Sequence, residues 1–272
     1  MKPIFLLLSL TISTGYILAQ ENISIYNTDT AWGYILYADN NEFCPVSVEI
    51  TFKLSNLQSS AGDKFTFVIP AGSKKNLITE LKIEKPELNS RLAYTTSANY
   101  GDYSITRYDT SYAYSLPFKK GEKHTVAQGY NGKRTHKNEN AIDFEMPEGT
   151  EICAMRNGVV FEVVQKNSRN CPEKDCIKYN NYIRIFHPDG TMAEYTHLKK
   201  NGSVVNPGDT VVSGQVIGYS GNTGYSTAPH LHVVVRICDL KGKFPTVKTL
   251  FKTGDGTTEE ILKEKLSYSR DY

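Results

Sequence analysis

The chain has 272 residues, 31 basic and 29 acidic side chains, and a formal charge of +2. With that balance and no long basic run, nothing in the charge pattern calls for nucleic acid, and none is expected as a partner. Helical periodicity is nearly absent, so the expected class is mainly β, in two domains.

At the start of the chain, Lys2 precedes the apolar run Pro3 to Leu8, and Ile17-Leu18-Ala19-Gln20 precede the first acidic residue, Glu21. This layout predicts a secretory signal peptide over residues 1–19, cut after Ala19, and hence a secreted or periplasmic protein. Ser9, Thr11, Ser13 and Thr14 interrupt the run. A bilayer span needs about 20 mostly apolar residues, so no membrane span is expected here or later.

Residues 20–117 are expected to form a β-sandwich leader domain. Val46, Val48, Ile50, Phe52 and Leu54 alternate with Ser47, Glu49, Thr51 and Lys53, the period of a half-buried strand. Shorter runs at Phe65 to Ile69, Leu77 to Ile83 and Tyr112 to Leu116 are separated by Pro70-Ala71-Gly72 and Pro86, which suits a sandwich. The alternation lapses in the charged stretch at 117–123, where the domain boundary is placed.

Residues 118–250 are expected to form a second β-rich domain, with residues 251–272 as a C-terminal extension. Strands are predicted at Glu151 to Met155, Gly158 to Gln165, Val211-Val212, Val216 to Tyr219 and Leu231 to Ile237. Tyr182 to His187 and Thr191 to Thr196 flank Pro188-Asp189-Gly190 as a hairpin. Only Thr257 to Leu266 has the spacing of a short helix.

There are five cysteines. In an oxidising compartment Cys171 and Cys176, which enclose Pro-Glu-Lys-Asp, read as a disulfide-closed loop. A metal-binding pair is the rival, although no matching second pair occurs. Cys44, Cys153 and Cys238 are an odd number, so at least one is free or pairs between chains.

Of the six histidines, five lie between His136 and His232, together with Asp143. No His-Glu-x-x-His helix motif is present, so a zinc enzyme built on this chain collects its ligands from separate strands and loops. In a strand His230 and His232 emerge on one face about 7 Å apart, where one can bind metal and the other can handle protons. Taken alone, such a pair reads as two solvated strand histidines.

Gly221-Asn222-Thr223-Gly224-Tyr225-Ser226-Thr227-Ala228-Pro229-His230-Leu231-His232 resembles the signature of lysostaphin/LytM-type metallopeptidases. Ala141-Ile142-Asp143-Phe144, Pro147-Glu148-Gly149-Thr150, Asn157-Gly158-Val159-Val160, Tyr195-Thr196-His197-Leu198 and Pro207-Gly208-Asp209 follow in that family's order. The resemblance implies a LytM-like antiparallel β-sheet peptidase domain and a zinc ion held by His136, Asp143 and His232. It also implies His197 and His230 as catalytic histidines and peptidoglycan peptides as substrate, with hydrolysis of their cross-links. Which histidine accepts a proton and which returns it stays open.

One departure from the pattern concerns spacing. Six residues separate His136 from Asp143, where family members commonly have three, and Glu139 occupies the position of the usual histidine. Glu139 is the second choice of ligand, because two carboxylates and one histidine would weaken the metal as a Lewis acid. The longer gap is also similar to VanY-type D-Ala-D-Ala carboxypeptidases, but His230-Leu231-His232 is not their Glu-x-x-His ending. His124 and His187 read as structural or solvated. The rival functions are a catalytically silent wall-binding or amidase-regulating scaffold and an extracellular protein-degrading protease. Retention of every ligand and histidine argues against the scaffold.

Overall fold

A computed structural model describes residues 22–240 and 245–272; the signal-peptide reading lies outside them. The structure is mainly β, and among the described residues one six-residue 3-10 turn, Lys174–Tyr179, is the only helix. Among the described residues no helix is long and apolar enough to cross a membrane. The chain divides into two compact units, Met1–Ser104 with Cys238–Lys243, and Ile105–Ile237 with Phe244–Tyr272.

The first unit is a sandwich of two antiparallel sheets. One orders the strands Ile23–Thr30, Gly33–Asn40, Asn76–Ile83 and Leu57–Ser59; the other places Val46–Ser55 between Lys64–Ile69 and Arg91–Tyr100. Leu36 from the first sheet and Ile50 and Phe52 from the second are buried together, with Phe65, Phe67 and Tyr94 against them. Burying side chains of this size stabilises by about 1.5–3 kcal/mol each. That gain explains why the alternating run at 46–54 settles as the central strand of its sheet.

The second unit is organised on an eight-stranded sheet. Its central strands run Gly158–Val164, Tyr182–Phe186, Met192–Thr196, His230–Arg236, Ala141–Glu145 and Lys123–Gln128 in space. The register aligns Asp143 with His232, His232 with Thr196, and Thr196 with Tyr182 across four neighbouring strands. One sheet face buries Ile142, Phe144, Leu231, Val233, Ala193 and Tyr195 in a single core. The period of two then sends Asp143, His230 and His232 to the opposite face.

Three expectations change. The second unit begins at Ile105, not at 118: Ala113–Tyr114 pairs in parallel with Leu250–Thr253, and Leu116 and Phe118 are fully buried in its core. Residues 251–272 are part of that core rather than an extension, because Phe251, Leu262 and Tyr268 are buried there and Ser267–Ser269 pairs with Lys123–Gln128. The span 257–266 is not helical; Thr258–Glu260 forms a hairpin with Leu250–Thr253. Gly254 and Gly256 take positive φ in its turn, and the Asp255 carboxylate accepts from the Thr257 amide, a local bond that competes with helix formation.

Candidate active site

His136 lies on the loop that follows Lys123–Gln128, Asp143 in the strand Ala141–Glu145, and His232 in the strand His230–Arg236. Their donor atoms form a triangle. His136 Nε2 is 3.3 Å from His232 Nδ1 and 3.2 Å from Asp143 Oδ1, and His232 Nδ1 is 2.9 Å from Asp143 Oδ1. Ligand atoms bonded at about 2.0–2.1 Å to one tetrahedral ion stand about 3.3 Å apart, so the triangle has the size such an ion requires.

The donors are also chemically prepared. His136 Nδ1–H donates to the Gly129 carbonyl at 3.1 Å, which turns Nε2 towards the triangle. Asp143 is buried, and burial pushes its carboxyl up, but hydrogen bonds from His136 and His232 outweigh this and hold it well below the usual carboxylate range. Burial likewise opposes the charged form of His136, yet its bond to Asp143 leaves its pKa raised. Two imidazole nitrogens and an ionised carboxylate suit a small divalent cation, and these three residues form a group able to hold a metal.

Two further histidines border the triangle. His197 ends the strand Met192–Thr196 with φ of 67°, a left-handed conformation uncommon outside glycine. Its Nδ1–H donates to the Thr223 carbonyl at 2.7 Å. His230 Nδ1–H donates to the Ala228 carbonyl at 2.8 Å, and its Nε2 lies 3.8 Å from Asp143 Oδ1. The two rings are 4.5 Å apart between centroids. Burial, reinforced by His230 and His232, pushes His197 down to about 3, and burial lowers His230 as well. Both rings are therefore neutral at pH 7, with Nε2 as the free proton acceptor.

Residues 137–243 match the model of Peptidase family M23. This segment is similar to the M23 peptidases. Asp143, His197, His230 and His232 fall inside the match and His136 one residue before it. An uncharacterized metalloprotease of Buchnera aphidicola is 38% identical over 57% of this chain and 38% of its own length. Lysostaphin of Staphylococcus simulans is 40% identical over 34% of this chain and 16% of its own length. Peptidoglycan DD-endopeptidase ShyA of Vibrio cholerae is 37% identical over 42% of this chain and 25% of its own length. The chain thus spans well under half the length of these relatives. Among solved structures, the catalytic domain of lysostaphin is 29% identical over 46% of this chain and 86% of that one, with a TM-score of 0.34.

The remaining candidates are placed elsewhere. Glu139 accepts from Arg236 Nη2 at 2.6 Å and is outside the triangle. His124 stacks edge-on against Phe118. His187 is fully buried, not solvated; its Nδ1–H donates to Thr191 Oγ1 at 2.9 Å, and its Nε2 has no partner. Cys171 and Cys176 are joined as a disulfide, whereas Cys44, Cys153 and Cys238 are not.

Sequence reading missed Gln128. Its Nε2 donates to Asp143 Oδ2 at 3.1 Å and to Thr135 Oγ1 at 2.6 Å, while its Oε1 accepts from the amides of Arg134 and Thr135. One side chain thereby orients the carboxylate and ties down the loop that carries His136. No motif marks it; its position opposite Asp143 in the strand pairing is visible only after folding.

Proposed function

We propose that the protein is a zinc-dependent endopeptidase that hydrolyses peptide cross-links of bacterial peptidoglycan, and that it acts outside the cytoplasm. The observation that carries this reading is the triangle of His136 Nε2, Asp143 Oδ1 and His232 Nδ1, bordered by two histidines whose Nδ1–H groups are committed to backbone carbonyls. The substrate class is supported by the similarity to lysostaphin and to the DD-endopeptidase ShyA.

His136, Asp143 and His232 are the residues that would hold zinc. A zinc ion so held supplies Lewis acidity and makes water a competent nucleophile near neutral pH. His230 and His197 accept a proton at Nε2 and return it to the departing amine. Their Nδ1–H bonds to backbone carbonyls fix the tautomer in which Nε2 is unprotonated. Gln128 keeps Asp143 aimed by holding Oδ2, so that Oδ1 remains for the metal.

Digestion of purified sacculi, with the released fragments read by mass, tests the reading. Conversion of cross-linked dimers to monomers, abolished by a chelator and restored by zinc, is expected. A folded, zinc-loaded protein that leaves sacculi of several cross-link chemistries intact would instead favour a wall-binding scaffold or a protease acting on proteins.

A further inference from the structure

We propose that the disulfide-closed loop between Gln165 and Asn181 is a positioning element for His197 and His230, acting through the segment Thr223–Ser226, and that it has no part in holding the metal. The inference rests on the peptidase reading above for the roles of the two histidines.

His197 takes its orientation from this segment directly, and His230 does so through the Ala228 carbonyl, which Ser226 Oγ also reaches at 2.9 Å. Thr223 offers the carbonyl that receives His197 Nδ1–H at 2.7 Å, and Ser226 Oγ lies 3.2 Å from His230 Nδ1. The segment is in turn held by the loop. Asn170–Cys171 pairs in parallel with Gly224–Tyr225, the Gly224 amide donates to the Arg169 carbonyl at 2.8 Å, and the Tyr225 amide donates to Asn180 Oδ1 at 3.0 Å. The Asn181 amide donates to Thr223 Oγ1 at 3.1 Å.

The fit leaves no slack at Gly224, whose φ is +78°. A Cβ there would sit 1.7 Å from Asn180 Oδ1, so Asn180 packs where any other residue would place a side chain. The disulfide closes the loop immediately beside this contact, since Cys171 is the residue paired with Tyr225. The metal triangle draws on other supports, the Gly129 carbonyl for His136 and Gln128 for Asp143. A loosened loop therefore shifts the two proton-carrying histidines and spares the metal. A displacement of about 1 Å at a catalytic group can lower turnover about a hundredfold.

The test uses the full chain loaded with zinc, as wild type, the pair Cys171→Ser/Cys176→Ser, Asn180→Ala and Asn180→Asp. Three quantities are read: zinc per chain, kcat and KM on a cross-linked muropeptide dimer, and the tautomers of His197 and His230 from long-range ring-nitrogen NMR correlations. Expected are one zinc throughout, KM within about twofold, and kcat lowered about ten- to a hundredfold in the double-serine and alanine variants. Those two variants should also mix the tautomers, while Asn180→Asp, which keeps the acceptor for the Tyr225 amide, should recover both properties. Unchanged kcat and tautomers in the disrupted variants would overturn the proposal, as would parallel loss of zinc and activity. Zinc content and tautomers are read without turnover, so they decide the matter even for a wild-type protein inactive on muropeptides.

Discussion

Replacing Gln128 by Leu removes a side chain that touches neither the proposed metal nor substrate, yet metal affinity should fall. Gln128 is 4% exposed, so leucine fills similar volume without opening a solvent channel. The loss comprises the Nε2 bonds to Asp143 Oδ2 at 3.1 Å and Thr135 Oγ1 at 2.6 Å and the Oε1 bonds to the Arg134 and Thr135 amides at 3.0 and 3.3 Å. The Arg134 and Thr135 amides lose the acceptor that ties them down, each bond being worth about 0.5–1.5 kcal/mol, which favours movement of the loop that carries His136. Loss of partners of this kind typically weakens metal binding about 10- to 100-fold, or about 1.4–2.8 kcal/mol. Gly132→Ala should act in the same direction, because its Cβ would lie 2.3 Å from Gln128 Cγ. Competition against a chelator of known affinity measures both variants. Zinc affinity within twofold of wild type for Gln128→Leu, in a folded protein, would refute the reasoning.

His187 should make stability depend on pH. Burial, then the nearby Arg156 charge, pushes its imidazole down to about 3 in the folded chain, against about 6.5 unfolded. The unfolded chain binds the extra proton, so the contribution is intact above pH 6.5 and is lost as pH falls towards 3, at about 1.4 kcal/mol per pH unit. His187→Asn, which keeps a donor for Thr191 Oγ1, should flatten urea-derived stability against pH by one proton; an unchanged slope would count against it. Arg184 donates to Glu194 at 2.6 Å and to Glu162 at 2.7 Å, so Arg184→Met should destabilise by about 3 kcal/mol or more by leaving two carboxylates unpaired. A melting temperature equal to wild type would contradict that.

The alternation at 46–54 and the two-residue spacing of His230 and His232 were legible because strand periodicity maps directly onto faces. The Cys171–Cys176 bond was legible from spacing together with the expected oxidising compartment. The start of the second unit was not, because the run Tyr112 to Leu116 has the same pattern whichever sheet it joins. Its partner, Leu250–Thr253, lies far along the chain, and nothing local announces a parallel pairing. The apolar residues Ile261, Leu262 and Leu266 have helical spacing, but the glycine turn at 254–256 sets a hairpin ahead of them and only Leu262 is buried in the core. Glu139 stood where a ligand is usual, and only the fold shows Arg236 drawing it away. Gln128, Thr223 and Ala228 act through one side chain and two carbonyls, and backbone groups carry no signal in residue identity.

The proposed division of roles on one sheet face is tested most directly by zinc content and muropeptide-dimer cleavage measured on the same samples of wild type, His232→Ala and His230→Ala. The expected result is about one zinc per chain and activity in wild type, loss of both in His232→Ala, and retained zinc with activity lowered about a hundredfold or more in His230→Ala. Equal loss of zinc in the two variants would contradict the separation of His230 from the metal ligands, and full zinc in His232→Ala would contradict the centre itself.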